Sequence, residues 1–155
     1  MPDWITHTTI GWIAGKVIKM EVGLVVLGSI LPDLVKINHI ALWFGMDLYS
    51  LFNPFHTPVG SLLVAGILAL FFVDSIKVFL ALSIGITTHF LLDFFLIGLT
   101  KGIQFLFPFS WERWRFNEIM IDYRITALAI IAAVLGYIYW YYKDSKKGRT
   151  EYKTR

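Results

Sequence analysis

Apolar and polar positions along this chain are grouped into runs of helical length rather than alternating residue by residue. Two apolar runs, Val78–Leu99 and Ile125–Tyr142, are each near the ~20 residues that a helix needs to cross a bilayer. A third run, Val59–Val73, is shorter. Thr57 and Pro58 predict where its helix starts, because threonine caps helices and proline favours the first helical position. The pattern therefore predicts three helices at membrane depth.

The first third of the chain predicts shorter elements. Trp4–Lys16 and Val22–Leu31 are each too short to span comfortably, and the polar residues between them predict a turn, so we expect a helical hairpin that ends at Pro32. The aromatic-rich segment Asn38–Phe55 is typical of a helix that lies in the membrane interface. We therefore expect an all-α, polytopic membrane helical bundle of about five helices, with an N-terminal short helical hairpin and an interfacial helix. Residues 1–142 would form a single integral-membrane domain, and 143–155 a basic, disordered tail.

Composition favours the same class of protein. Hydrophobic residues make up 57% of the 155 positions and charged residues 16%, which is more apolar surface than a soluble domain of this size can bury. The chain has no cysteine. A bound metal would therefore have to be held by histidine, aspartate or glutamate side chains.

The basic residues predict an orientation. An up-and-down path puts Lys16, Lys19, Lys77 and the tail on one side of the membrane, and on the other side the smaller group Lys36, Lys101, Arg113, Arg115 and Arg124. The positive-inside rule then predicts a multi-pass protein of the cell membrane with a cytoplasmic C-terminal tail. A basic tail beside a membrane is explained by topology or by anionic lipid, so membrane lipid is the expected partner and nucleic acid is not.

A histidine and an aspartate interrupt the apolar run Val78–Leu99. His89 and Asp93 are four residues apart, so they lie on one helix face at a depth where ionisable groups are costly and usually functional. On the predicted path, His7, Asp33 and His56 lie toward the same, outer half of the membrane. Imidazole and carboxylate together suit zinc, iron or manganese, so one interpretation is a shared metal site.

Simpler interpretations of the same residues stay open at this point. His89 and Asp93 can form a buried hydrogen-bonded pair between helices, or a proton or ion relay. Asp33 after Pro32 is also typical of a turn or a helix cap. His56 can be an interfacial residue, and His7 can belong to the start of a helix.

The order of these residues resembles the YdjM-like family of membrane-bound metal-dependent hydrolases, which is distantly similar to zinc-dependent phospholipase C. The resemblance rests on short motifs in a fixed order, namely His7 with Gly11, Gly28-Ser-Ile-Leu-Pro-Asp33, His56-Thr57, His89-x3-Asp93 and Phe107-Pro-Phe-Ser110. It implies that the metal ligands are His7, Asp33, His56, His89 and Asp93. Leu34-Val35 follow Asp33 where the family usually has another acidic residue, and no histidine follows His89, so we expect one or two ions rather than three.

The resemblance implies a function as well. We expect a membrane-embedded hydrolase that uses one or two divalent ions, zinc by preference, to activate water against a phosphoester or a phospholipid-like substrate. Asp33 or Asp93 would bridge two ions, and a carboxylate that binds no ion would act as the base. The alternative is a non-catalytic membrane protein, a relay or a structural protein, in which His89 and Asp93 are a buried polar pair.

Overall fold

The computed structural model describes residues 4–95, 103–114, 128 and 131–143, and these residues form an all-α bundle. The α-helices are α1 (Trp4–Ile18), α2 (Val22–Ile30), α3 (Ile37–Trp43), α4 (Tyr49–Phe52), α5 (Pro58–Ala69) and α6 (Ser75–Phe95). Two 3-10 helices, Leu31–Lys36 and Asn53–His56, lie between them, and residues 131–143 are also helical. The predicted fold class is confirmed, with somewhat more and shorter helices than the five expected.

The N-terminal hairpin forms as predicted from α1 and α2. The turn between them passes through Lys19, whose backbone lies in the left-handed region at φ 61°. Lys16 is close to this turn, and its ammonium lies 4.1 Å from the ring centre of Trp140. The 131–143 helix therefore packs beside α1. The hairpin thus has its turn at one end, and the N-terminus of α1 lies beside the C-terminus of α2 at the other.

The helical path does not stop at Pro32, which differs from the sequence-based expectation. The α-helix ends at Ile30, but the chain continues as the 3-10 helix Leu31–Lys36 and then as α3. Proline lacks an N–H, but the first turn of a helix does not need that donor, so Pro32 can begin a new helical segment. As a result, Val22–Trp43 is long and apolar enough to cross a membrane, whereas Val22–Leu31 alone is not.

The predicted interfacial segment is a series of short pieces rather than one helix. It contains α3, α4 and the 3-10 helix Asn53–His56, and the last two meet α5 at an angle of 91°. Thr57 caps α5 as predicted, because its side chain accepts a hydrogen bond from the N–H of Gly60. The bent pair is either one broken span or a re-entrant segment.

The centre of the bundle is the contact between α2 and α6. A Cβ atom at Gly28 would overlap the backbone of Leu82, and a Cβ at Gly85 would overlap the carbonyl of Val25. The two helices can approach this closely only because both positions are glycine, which is the usual basis of helix packing in membranes. Leu82, Ile86 and other buried apolar side chains then fill the core around this contact.

The described helices fit a membrane. Val22–Trp43 and Ser75–Phe94 can each span, and the bent pair would make a third span. The run predicted at Ile125–Tyr142 is helical where it is described, at 128 and 131–143. Residues 142 and 143, on either side of the predicted domain boundary, are both helical, and the tail after 143 lies outside the described residues. The boundary and the tail therefore stay predictions.

Candidate metal centre

The five residues singled out from the sequence meet at one end of the bundle. His7 lies in the first turn of α1, Asp33 in the 3-10 helix that follows α2, and His56 at the end of the 3-10 helix that precedes α5. His89 and Asp93 lie on the last turns of α6. Four of the five side chains are buried, and that of His56 is 10% exposed. The chain therefore brings together residues from four separate segments, up to 86 positions apart in sequence.

Asp93 is the centre of this cluster. Its Oδ2 lies 3.1 Å from Nε2 of His56 and 3.4 Å from Nε2 of His89, and its Oδ1 lies 3.5 Å from Nε2 of His7. The Nε2 atoms of His56 and His89 are 3.4 Å apart. Three donor atoms, from His56, His89 and Asp93, thus form a nearly equilateral triangle.

The triangle has the size of one face of a zinc coordination tetrahedron. Ligand atoms about 2.0–2.2 Å from a tetrahedral ion lie roughly 3.3–3.6 Å from one another. The three separations, 3.1, 3.4 and 3.4 Å, are close to that value. The donor types also fit, because zinc sites combine imidazole nitrogen with carboxylate oxygen.

A backbone carbonyl of α2 orients His89. The Nδ1 atom of His89 lies 2.8 Å from the carbonyl oxygen of Ser29. Because a carbonyl oxygen only accepts hydrogen bonds, Nδ1 must carry the proton and donate it. Nε2, which faces His56 and Asp93, is then left with its lone pair, which is the arrangement found for histidines that bind metals.

A second group of potential ligands overlaps the first. His7, Asp33 and His89 each offer a ligand atom within 4.8 Å of the others, and the rings of His7 and His89 stack with their centres 3.9 Å apart. His89 belongs to both groups, but only its Nε2 is available, and one lone pair binds one ion. The arrangement therefore suits either one ion shared by the cluster, or two ions joined by the carboxylate of Asp93.

Several buried polar atoms of the cluster have no hydrogen-bond partner among the described residues. They are both ring nitrogens of His7, Oδ1 of Asp33 and both carboxylate oxygens of Asp93. The short contacts of Asp93 are within ion-pair distance but lack hydrogen-bond geometry. Buried polar atoms are costly unless they are satisfied, so such a concentration at one point fits a cation-binding site. A divalent cation would satisfy them and would balance the two carboxylates.

The structure adds to the cluster one charged residue, Lys36, that the sequence analysis used only for the orientation. Oδ2 of the buried Asp33 accepts a hydrogen bond from the ammonium of Lys36, whose side chain is 21% exposed. The signal was the i, i+3 spacing, which puts the two side chains on one helical face. The pair keeps one oxygen of Asp33 occupied and leaves Oδ1 for the cluster.

Local hydrogen bonds hold His56 in place. The Thr57 hydroxyl donates to the carbonyl of Pro54 at 2.7 Å, and the Ser61 hydroxyl donates to the carbonyl of Phe55 at 2.6 Å. Phe90 packs its ring edge-to-face against His56 and His89, with centre separations of 5.8 and 5.4 Å. The most exposed member of the cluster is therefore fixed by the start of α5 and by α6.

Comparison with known proteins identifies the family of the chain. The family model described as YdjM inner membrane protein matches residues 2–152. Neither the curated proteins nor the solved structures give a significant match to the chain. Because the family model covers nearly the whole sequence, the chain belongs to the YdjM inner membrane protein family.

Proposed function

We propose that this protein is a membrane-embedded, metal-dependent hydrolase that acts on phosphoester or phospholipid-like substrates. The observation that carries the proposal is the triangle formed by Nε2 of His56, Nε2 of His89 and Oδ2 of Asp93, whose size and donor types suit zinc. His7 and Asp33 complete the ligand set, for one ion or two.

The residues of the cluster have distinct roles in this proposal. A divalent ion bound here would activate a water molecule at neutral pH and polarise a phosphoryl oxygen. Asp93 holds the ion, because it contacts all three histidines. Asp33 is anchored through Oδ2 by Lys36, and its Oδ1 is left either to bind the ion or to accept the proton of the water.

The position of the cluster favours a substrate at the membrane surface. The 103–114 segment follows α6 on the same side as the cluster, and Phe109, Trp111 and Trp114 on it are exposed. Exposed aromatic side chains of this kind are typical of the headgroup region. The phosphoester of a membrane lipid also lies in the headgroup region, on the side of the cluster. Membrane lipid is therefore the partner that the proposal requires.

Metal content tests the proposal most directly. Protein purified without chelators should contain about one or two equivalents of zinc or a similar ion per chain, and His89→Ala and His56→Ala should each lose most of it. His39 is the matched control, because it is exposed and lies outside the cluster, so His39→Ala should keep the metal. The measurement is elemental analysis by mass spectrometry.

Activity is measured on the same samples. Hydrolysis of bis(p-nitrophenyl) phosphate should disappear on treatment with EDTA and in His89→Ala, and zinc should restore it to the wild-type protein only. Wild-type protein that is metal-free after gentle purification would contradict the proposal. That result would leave the alternative, a non-catalytic protein in which His89 and Asp93 form a buried polar pair.

A further inference from the structure

An apolar groove lies between α5 and α6 next to the cluster. We call it the α5–α6 groove; it has a volume of about 390 Å³, and its walls include Pro58, Leu62, Ile86, Phe90, Phe94 and Phe105. The one hydroxyl in its lining, on Thr87, donates to the carbonyl of Ser83 within α6. The side chains of the walls therefore offer no hydrogen-bond donor to a ligand and only the lone pairs of that one hydroxyl as acceptor, so a polar ligand would lose most of its hydration there without compensation.

The groove is adjacent to the candidate metal centre. Phe90 forms part of its wall, and the same ring touches His56 and His89. Pro58, at the other wall, is two residues from His56, which is the ligand with an exposed edge. A molecule with its polar part beside His56 could therefore place an apolar part directly in the groove.

The groove follows helices that lie at membrane depth. From Phe94 to Ile86 it extends about 12 Å along α6, at a rise of 1.5 Å per residue, away from the end that carries the cluster. α6 is one of the candidate spans, so the medium around the groove is hydrocarbon. Its volume is within the range of ligand pockets, about 300–1,000 Å³.

We propose that the α5–α6 groove holds one acyl chain of a bilayer lipid whose phosphoester lies at the metal centre beside His56. The inference rests on the proposed function and specifies its substrate as a lipid with a long chain. A chain that moves from the bilayer into the groove exchanges one apolar environment for another. The groove therefore contributes orientation of the phosphoester rather than affinity.

A bulky side chain in the groove tests this inference without reference to hydrolysis. The probe is a phosphatidylcholine with a diazirine in the middle of one acyl chain, incorporated into vesicles with the protein. Light should label peptides of the groove, around Leu62 and Leu91, and Leu62→Trp should reduce this labelling about tenfold by filling the groove. Leu63→Trp is the matched control, since Leu63 is the adjacent, exposed residue of α5 and does not line the groove.

Leu91→Trp provides an independent second variant from the opposite wall, and should reduce the labelling in the same way. Metal content and elution in size-exclusion chromatography identify any variant that fails to fold. Labelling that is equal in wild type, Leu62→Trp and Leu91→Trp would overturn the inference. Labelling confined to other segments of the chain would do so as well, because the acyl chain would then not lie in the groove.

A comparison of two substrates separates failure of the groove from failure of the proposed function. The Leu62→Trp variant should hydrolyse long-chain phosphatidylcholine in mixed micelles about tenfold more slowly than the wild type. It should cleave bis(p-nitrophenyl) phosphate, which has no acyl chain, at nearly the wild-type rate. Equal rates of wild type and variant on both substrates would overturn the acyl-chain inference alone. If the metal-loaded wild type hydrolyses neither substrate, the proposed function is overturned. The labelling experiment would still test whether an acyl chain binds in the groove.

Discussion

At the scale of residues, the structure shows two partners of the cluster besides the five residues that the sequence predicted. Lys36 binds the buried carboxylate of Asp33, and the backbone carbonyl of Ser29 orients His89. The identities and approximate depth of the five cluster residues could be predicted from the sequence, because helical rise and the alternation of spans fix the end at which each one lies. The role of Ser29 could not, since a carbonyl carries no sequence signal and its position depends on how closely α2 approaches α6.

We predict that the Lys36–Asp33 pair stabilises the metal-free protein more than the metal-loaded one. Lys36→Gln leaves a buried carboxylate without this cation and should lower the free energy of unfolding of the metal-free protein by about 1.5–3 kcal/mol. A bound metal ion would compensate the negative charge of Asp33, so the free energy of unfolding should fall by less in the metal-loaded protein. The measurement is denaturant unfolding in detergent with and without EDTA.

The control for this prediction is another lysine–aspartate pair at the same i, i+3 spacing. Lys77 and Asp74 are 3.0 Å apart, but their side chains are 79% and 66% exposed. Lys77→Gln should therefore cost about 0–1 kcal/mol, with or without metal. Equal losses in the free energy of unfolding for the two variants, both with and without EDTA, would show that burial of Asp33 does not strengthen its interaction with Lys36.

At the scale of elements, the approach of α2 to α6 decides whether the ligands can meet. Gly28 and Gly85 bring the two backbones together, and the same contact puts the carbonyl of Ser29 within hydrogen-bond distance of His89. The sequence predicted both helices but not this contact, because a glycine in an apolar run is equally compatible with a lipid-facing position. Nor did it predict the continuation past Pro32, since proline marks the end of one helix and the start of another equally well.

We predict that Gly28→Ala disturbs both packing and metal binding. The new methyl group would overlap the backbone of Leu82, so the helices must separate, and the free energy of unfolding should fall by about 1–3 kcal/mol. His89 would lose its orienting carbonyl, and metal content should fall with stability. Both quantities are measured on the detergent-purified protein.

Gly23→Ala is the internal comparison on the same helix. A Cβ at Gly23 meets no atom within 4 Å, and alanine is the better helix former, so this variant should be as stable as the wild type or slightly more so. Equal stability and metal content of the Gly28→Ala and Gly23→Ala variants would contradict a close contact between α2 and α6.

At the scale of the whole molecule, three lysines lie at the end of the described bundle opposite to the cluster. Lys16 and Lys19 are at the turn between α1 and α2, and Lys77 is in the first turn of α6, whereas the metal cluster is at the other end of these helices. This is the separation that the up-and-down path predicts. The positive-inside rule therefore still predicts that the cluster lies toward the outer half of the membrane and the tail on the cytoplasmic side.

Cysteine labelling tests this orientation without background, because the native chain has no cysteine. Ser110→Cys lies in the described segment on the side of the cluster, and Ser145→Cys lies in the tail, outside the described residues. A membrane-impermeant maleimide added to intact cells should label the first and not the second. Labelling of both from the same side would refute the path.

The bend before α5 gives a bound ion a mechanical role in the bundle. Four of the ligands belong to α1, α6 and the continuation of α2, whereas His56 belongs to the pair of helical segments that meet at 91°. An ion in this cluster would cross-link the segment that contains His56 to the remaining helices. Its loss would remove the link through His56, while the α2–α6 contact and the packing of Ala65 and Ala69 of α5 in the core remain. The same ion would therefore both form the site and hold the start of α5, at one wall of the neighbouring groove, in place.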